Sequence, residues 1–272
     1  MSSRLRDKVA IITGAGSGIG EASAKRFAAE GAAVLVADVD ADGAERVVSE
    51  ITAAGGRAQA AIVDVSDLEA TERMAADAIE AFGTIDVLYA NAGVNLPGNG
   101  LTCEPATWDK VVAINLTGAW YCVRAVLPAM VEAKRGSIIL QASGAGMVGI
   151  RSSIPYAASK GGVIAMGRQL AADFGPDNIR VNCISPGTMT TPLVNKVYAQ
   201  RVKEGRYADM DEALSESGSH YPLGRIGSPD ECADLALFLA SDESAWITAV
   251  VVPIDGGLVG TRDLIRGTPS RS

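Results

Sequence analysis

The feature that most constrains this chain lies in its first 38 residues, where the apolar run Val9-Ala10-Ile11-Ile12 enters Thr13-Gly14-Ala15-Gly16-Ser17-Gly18-Ile19-Gly20. A second apolar run, Ala32 to Ala37, stops at Asp38; between the two, Ile19, Ala22, Ser23, Phe27 and Ala28 share one helical face and Gly31 marks the end. Strand, glycine turn, helix, strand and acid in that order read as the opening of a dinucleotide-binding βαβ unit. Glycines reach backbone angles closed to other residues and let the chain approach a pyrophosphate, whose charge sits at the N-terminus of the following helix. The spacing is Gly-x-Gly-x-Gly-x-Gly with no Gly-x-Gly-x-x-Gly match, so the strand and helix around it carry the reading.

The pattern then repeats. Residues 42 to 54 read as a helix with Ala44, Val47, Val48 and Ile51 on one face, closed by Gly55-Gly56. Ala58 to Val63 reads as a third strand ending at Asp64-Val65, where the acid serves either as an adenine neighbour or as a turn or helix-cap carboxylate. A helix over 67–82 leads to a fourth strand, Asp86 to Ala90, and the small turn Asn91-Ala92-Gly93. A long helix spans 106–132 with Asn115 at its middle, a poor helix-interior residue that asks for an explanation. Strand five, Ser137 to Gln141, precedes Ser143; a helix over 153–173 carries Tyr156 and Lys160; strand six, Arg180 to Ile184, runs into Ser185-Pro186-Gly187-Thr188. The polar segment 188–222, with Tyr198, Tyr207, Met210 and Tyr221, reads as a substrate lid with short helices. A helix over 229–240, a last strand from Ala249 to Ile254 and a polar tail at 261–272 complete the chain. Seven strands alternating with about six helices predict an α/β fold, a doubly wound parallel sheet with helices on both faces, in a single dinucleotide-binding and catalytic domain over residues 1–272.

Composition narrows the function classes. The formal charge of -8, with no basic stripe to offset it, argues against a nucleic-acid or anionic-membrane partner. Cys103, Cys122, Cys183 and Cys232 lie far apart and read as four buried thiols in a reducing compartment. With one histidine, His220, neither a His-rich metal site nor a His-based triad is expected. No run reaches transmembrane length and strand residues begin by position 9, so a cytoplasmic location is the expectation.

The residues that carry chemistry are Tyr156 and Lys160, four apart on one helical face, where an ammonium beside a phenol favours the phenolate. An unperturbed tyrosine titrates near pH ~10, so proton transfer near neutrality needs a downward shift of about 2 to 3 units. Ser143, 13 residues before Tyr156, is placed to hydrogen-bond a substrate oxygen, and Asn115 to hold a water or backbone group in a proton path.

In the joint order of Thr13-Gly14-x-x-x-Gly18-Ile19-Gly20, Asp64-Val65, Asn91-Ala92-Gly93, Asn115, Ser143, Tyr156-x-x-x-Lys160 and Pro186-Gly187-x-x-x-Thr191, the chain resembles the classical short-chain dehydrogenase/reductase family over nearly its whole length. The resemblance implies a Rossmann-type fold with Tyr156 as acid/base, Ser143 orienting the substrate oxygen, Lys160 binding the nicotinamide ribose while lowering the tyrosine pKa, and Asn115 maintaining the relay. It further implies that Gly14, Gly16, Ser17, Gly18, Ile19, Gly20, Asp64, Val65, Asn91, Ala92 and Gly93 line the cofactor site, and that Pro186, Gly187, Thr188 and Thr191 flank the nicotinamide. A homotetramer or homodimer through the two long helices, 106–132 and 153–173, also follows from it. Tyr89-Ala90 stand before Asn91 where many relatives carry an additional asparagine.

Charge adds the cofactor preference. Asp38 accepts from both ribose hydroxyls of NAD and repels a 2′-phosphate, and neither Ala15 nor Val39 supplies a cation. The expected activity is NAD(H)-dependent interconversion of a secondary alcohol and a ketone. An epimerase, dehydratase or lyase on the same fold, and a noncatalytic NAD-binding regulatory protein, are the competing readings. For the substrate, Gly144-Ala145-Gly146-Met147-Val148-Gly149 and the lid residues Pro192, Leu193, Val194 and Tyr198 suggest a cyclic or moderately apolar alcohol, while Asn95, Arg151 and His220 offer polar contacts instead.

Overall fold

The computed structural model describes residues 3–261, apart from the side chain of Leu193; residues 262–272, which hold the expected polar tail, lie outside the described residues. In chain order the elements are β1 (Val9–Thr13), α1 (Gly18–Ala29), β2 (Ala33–Asp38), α2 (Ala41–Ala53), β3 (Arg57–Ile62), α3 (Leu68–Phe82), β4 (Val87–Ala90), α4 (Pro105–Val112), α5 (Gly118–Ala133), β5 (Gly136–Gln141), α6 (Ile154–Phe174), β6 (Ile179–Pro186), α7 (Pro192–Lys203), α8 (Met210–Ser219), α9 (Pro229–Ala240) and β7 (Val251–Ile254). All seven strands are parallel, in the order β3-β2-β1-β4-β5-β6-β7. The direction of winding reverses beside β1, which lies between β2 and β4, so the carboxyl ends of these strands frame a crevice.

Burial on both faces explains the strand sequences. Successive side chains of β1 alternate between two cores: Ile11 joins Leu35, Leu88, Ile138, Met74 and Val126 on one face, while Ala10 and Ile12 join Val34, Val36, Ile139, Phe27 and Leu237 on the other. Helices α3, α5 and α6 cover the first face and α1, α2 and α9 the second.

Three expectations need correction. The expected single helix 106–132 is interrupted; with it divided, and with α7 and α8 as the short helices expected in the segment after β6, nine helices are present among the described residues. Between α4 and α5 the chain makes a π-helical turn, Ala113–Thr117, in which Gly118 N–H donates to Ala113 O, five residues back. Taken together, Pro105–Ala133 form 29 helical residues containing an 18-residue window with a mean hydropathy of 1.3, so one helix does have the length and composition of a membrane span; it is a core element, packed on α3 and the sheet. Of the four free cysteines, Cys122, Cys183 and Cys232 are buried, whereas Cys103 is half-exposed in the loop before α4.

Close approach fixes the glycine turn. Gly14 and Gly18 have φ of +64° and +59°, a region glycine enters without strain. A Cβ on Gly20 would lie 2.1 Å from the carbonyl oxygen of Gly14 and 2.7 Å from Asn91 Nδ2, so α1 can sit this close to β1 only without a side chain there. Gly20→Ala is expected to destabilise the fold by about 2–4 kcal/mol in urea unfolding, whereas Gly175→Ala, where a Cβ meets nothing within 4 Å, should leave stability unchanged.

Candidate active site

The expected site residues converge on the carboxyl edge of the sheet. The turn after β4 is tied to the turn after β1 through Thr13, 1% exposed, whose Oγ1 accepts from the N–H groups of Asn91 (3.1 Å) and Ala92 (3.2 Å). Asn91 Nδ2 donates in return to the carbonyls of Thr13 (2.9 Å) and Gly14 (3.1 Å). Asn91 and Ala92 thus hold the glycine turn in place.

Asp38, at the end of β2, accepts from Gly16 N–H at 2.7 Å through Oδ2 and from Asp40 N–H at 3.0 Å through Oδ1. Its carboxylate therefore borders the glycine turn. Ser17 is the extended N-cap of α1, with its hydroxyl uncommitted to capping, and Ile19 packs toward the core. The glycines, the N-terminus of a 12-residue helix and the adjacent carboxylate form a cradle that suits a dinucleotide: amides for phosphate, an acid for ribose hydroxyls. A residue the sequence reading missed also reaches this cradle. Arg46 on α2 donates to Gly16 O at 2.9 Å, and its charge is compensated by Glu21 (2.7 Å) and Glu50 (2.8 Å). These two acids raise the Arg46 pKa, so it is a fixed cation already committed to partners.

Asp64 belongs to a turn: its Oδ1 accepts from Ser66 N–H (2.9 Å) and Ser66 Oγ–H (2.6 Å), which lowers its pKa, while the cap of α3 is Asp67. Val65 is buried against α5, where a Cβ on Gly118 would come within 2.7 Å of its side chain.

The π turn explains Asn115. This side chain is 1% exposed; its Oδ1 accepts from Val94 N–H at 2.8 Å, and its Nδ2 donates to Val94 O at 2.9 Å and to Ser159 Oγ at 3.2 Å. The carboxamide thus grips the backbone just past Gly93 and reaches α6 one residue before Lys160. A Cβ on Gly93 would lie 3.2 Å from Asn115 Oδ1 and 3.4 Å from Lys160 Nζ, which brings all three to one point. Ser159 was also missed; its hydroxyl donates to Tyr156 O at 2.8 Å, a local bond that sequence spacing does not distinguish from ordinary helix back-bonding.

Lys160 is 2% exposed and donates to Gln141 O at 2.7 Å. Burial lowers its pKa to about 8. Its Nζ stands 5.7 Å from the centre of the Tyr156 ring. Tyr156 itself is shifted upward by burial, with a hydrogen bond to Ser143 pulling the other way. The protein groups alone therefore move the phenol in the direction opposite to the one expected from the Tyr-x-x-x-Lys pair, because desolvation outweighs that hydrogen bond. Ser143, in extended backbone beyond β5, accepts from Ala145 N–H at 3.2 Å, and Gly144 faces Pro186 O, 3.8 Å from where its Cβ would be.

The last strand end closes the edge. Thr191 caps α7 by accepting from Val194 N–H at 3.3 Å and lies over Gly18, 3.3 Å from its Cβ position. Gly187 N–H donates to Ile254 O at 3.0 Å, and Thr188 is bonded to Tyr221. Tyr198 is buried and donates to Ser217 Oγ at 2.6 Å, so it joins α7 to α8 instead of facing a ligand. Asn95, Arg151 and His220 are exposed. Within the Tyr89-Ala90 departure, Tyr89 has a structural use: its fully buried side chain donates through its hydroxyl to Gln141 Oε1 at 2.6 Å.

Comparison with known proteins gives the family. Residues 14–259 match the family model described as enoyl-(acyl carrier protein) reductase. The chain is 40% identical to a 2,5-dichloro-2,5-cyclohexadiene-1,4-diol dehydrogenase of Sphingobium indicum over 94% of its own length and 98% of the relative's. It is also 40% identical to a short-chain reductase protein of Streptomyces niveus, over 93% and 94%. The chain belongs to the short-chain dehydrogenase/reductase family. It is an oxidoreductase acting on a CH–OH group or the matching carbonyl. The crystal structure of levodione reductase superimposes with a TM-score of 0.88 at 36% identity, covering 94% of this chain and 98% of that one, so the Rossmann-type architecture is shared in full.

The Lys160 shift carries a signed prediction. The folded state gives up this proton near pH 8 and the unfolded chain near pH 10.5, so between them the unfolded state binds more protons and stability rises with pH. Relative to a Lys160→Met variant, wild type is expected to gain roughly 2–3 kcal/mol between pH 7 and pH 10 in urea unfolding, and to lose it again as pH falls through 8.

Proposed function

We propose that this chain is an NAD(H)-dependent dehydrogenase/reductase that interconverts a secondary alcohol and a ketone with Tyr156 as acid/base. The observation that carries the reading is the convergence of Tyr156, Ser143, Lys160 and Asn115 on the same sheet edge as the glycine turn and Asp38. A bound nicotinamide dinucleotide supplies the hydride acceptor or donor. Gly14, Gly16, Ser17, Gly18, Ile19 and Gly20 would hold its phosphates, Asp38 the adenosine ribose, Asp64 and Val65 the adenine, and Asn91, Ala92, Gly93, Lys160, Pro186, Gly187, Thr188 and Thr191 the nicotinamide half.

In oxidation the Tyr156 phenolate takes the hydroxyl proton of the alcohol; in reduction the phenol returns it to the carbonyl oxygen. Ser143, whose hydroxyl pulls against the burial-driven rise of the Tyr156 pKa, holds the same substrate oxygen. Since burial alone raises the phenol, ionisation depends on positive charge: protonated Lys160 and the cationic oxidised nicotinamide both favour the phenolate. Asn115 keeps Val94 and Ser159 in register with the lysine.

NAD is proposed over NADP because Asp38 occupies the ribose end of the cradle and Arg46 is neutralised by Glu21 and Glu50. The substrate proposed is a cyclic or moderately apolar secondary alcohol. The named substrate of the Sphingobium relative is a cyclohexadiene diol, and here Met147, Val148 and Ile150 leave apolar surface exposed just beyond Ser143. We further propose a soluble cytoplasmic homodimer or homotetramer through α4–α5 and α6, where Trp108, Trp120 and Ile154 are exposed; a monomeric mass in solution would remove this part.

Tyr156→Phe is expected to lower turnover by about 10²–10⁴-fold while leaving NADH affinity near wild type; near-normal turnover in the folded variant removes Tyr156 from the mechanism. A panel of cyclic and acyclic secondary alcohols assayed with NAD and with NADP should give kcat/KM at least about tenfold higher with NAD. Equal or better use of NADP overturns the role given to Asp38, and product formation without net change in NADH would favour an epimerase or lyase.

A further inference from the structure

Tyr221 follows α8 and belongs to none of the motifs that identify the family. It is 9% exposed, yet its hydroxyl is fully used: it accepts from Thr188 N–H at 2.9 Å and donates to Thr188 Oγ1 at 2.7 Å. Its ring is wedged between two turns at the sheet edge. A Cβ on Gly187 would lie 2.9 Å from Tyr221 Cε1, and one on Gly256, in the turn after β7, 3.4 Å from Tyr221 Cβ.

Apart from Tyr221, the loop is held mainly through its backbone, with Thr190 Oγ1 donating to Gly227 O (3.3 Å) and Thr191 Oγ1 capping α7. Gly187 N–H donates to Ile254 O (3.0 Å), Gly227 N–H to Thr188 O (2.9 Å) and Thr190 N–H to Gly227 O (2.9 Å). These bonds place the chain but leave the Thr188 side chain free to rotate. The tyrosine removes that freedom and also sets a direction: because its O–H donates to Thr188 Oγ1, the threonine's own proton is turned away from Tyr221 and remains available as a donor. Three residues further on, Thr191 rests on Gly18 of the glycine turn. A rigid 187–191 loop thus transmits its position directly to the cradle.

We propose that Tyr221 is a positioning residue of the cofactor site: its hydroxyl locks Thr188, and through it the 187–191 loop, in the conformation that closes on the glycine turn. This rests on the reading of that loop as the nicotinamide flank. Without the phenolic oxygen, Thr188 N–H and Oγ1 lose their shared partner while the apolar wedge of the ring remains, so the effect is on order at the loop and not on the fold.

The test uses Tyr221→Phe, Thr188→Val and the double variant, with NADH dissociation constants from nicotinamide fluorescence, steady-state kinetics and thermal melts. Tyr221→Phe is expected to raise the NADH dissociation constant and the KM for NAD by about 3- to 10-fold, with kcat at saturating NAD within about twofold of wild type and an unchanged pH profile. Thr188→Val, which removes the hydroxyl from Tyr221 and from the cofactor site but keeps the N–H, should weaken NADH binding at least as much, and adding Tyr221→Phe to it should cost less than Tyr221→Phe costs alone, since the hydroxyl–hydroxyl bond is already gone. Tight wild-type binding that Tyr221→Phe leaves unchanged overturns the role of Tyr221 alone, as does full multiplication of the two effects in the double variant. A fall in kcat or in melting temperature with unchanged NADH affinity also overturns it. Wild type that binds no nicotinamide dinucleotide overturns this role together with the cofactor reading beneath it.

Discussion

The separation between α1 and the end of β1 is set by the absence of one carbon atom. With hydrogen at Gly20, the helix meets the Gly14 carbonyl at a distance no side chain permits, and the helix N-terminus comes to the sheet edge instead of standing off it. Everything else at the site is referenced to that turn. Thr13 and Asn91 fasten the end of β4 to it, Asp38 fastens the end of β2, and Thr191 rests on it from the far side. A parallel sheet presents its strand ends at one edge in any case; the short polar side chains convert that edge from a row of loose turns into a rigid frame.

The chemistry within this frame is a contest between desolvation and charge. Burial of Lys160 and partial burial of Tyr156 penalise the ionised form of each, drawing the lysine down to about 8 and pushing the tyrosine up. Each group on its own is thus held toward neutrality, and in the mechanism proposed above the ionisation of Tyr156 depends on charge added to the site. A residue pair that looks self-sufficient on a helical wheel becomes, in three dimensions, half of an arrangement that the proposed oxidised nicotinamide would complete.

Much of this was legible in the chain. Apolar runs ending at glycine, Asp38, Asn91 and Ser143 gave the strands and their functional ends, because a buried parallel strand leaves a continuous apolar signature. The departures share a cause: they depend on contacts between distant segments. Arg46, on the far side of α2, has no pattern that announces its reach to Gly16. Ser159 looks like any helix serine, and Tyr198 and Tyr221 look alike in sequence although one joins α7 to α8 and the other grips Thr188. Asn115 is the intermediate case. Its poor helix propensity flagged a conflict, but the resolution, a local change of helix type, followed only from where Val94 and Ser159 lie.

That local change separates two requirements usually served together by a helix. Five residues close the turn from Ala113 to Gly118 where four would complete an ordinary one, so the segment holds one residue more than the helix needs to keep Val111 before it and Val126 after it buried. The sheet reads only the angular phase of the flanking turns, and the surplus residue leaves that phase intact. The site reads the count, because the surplus is what turns the Asn115 carboxamide onto Val94. Fold and proposed site therefore answer to different arithmetic in the same 29 residues.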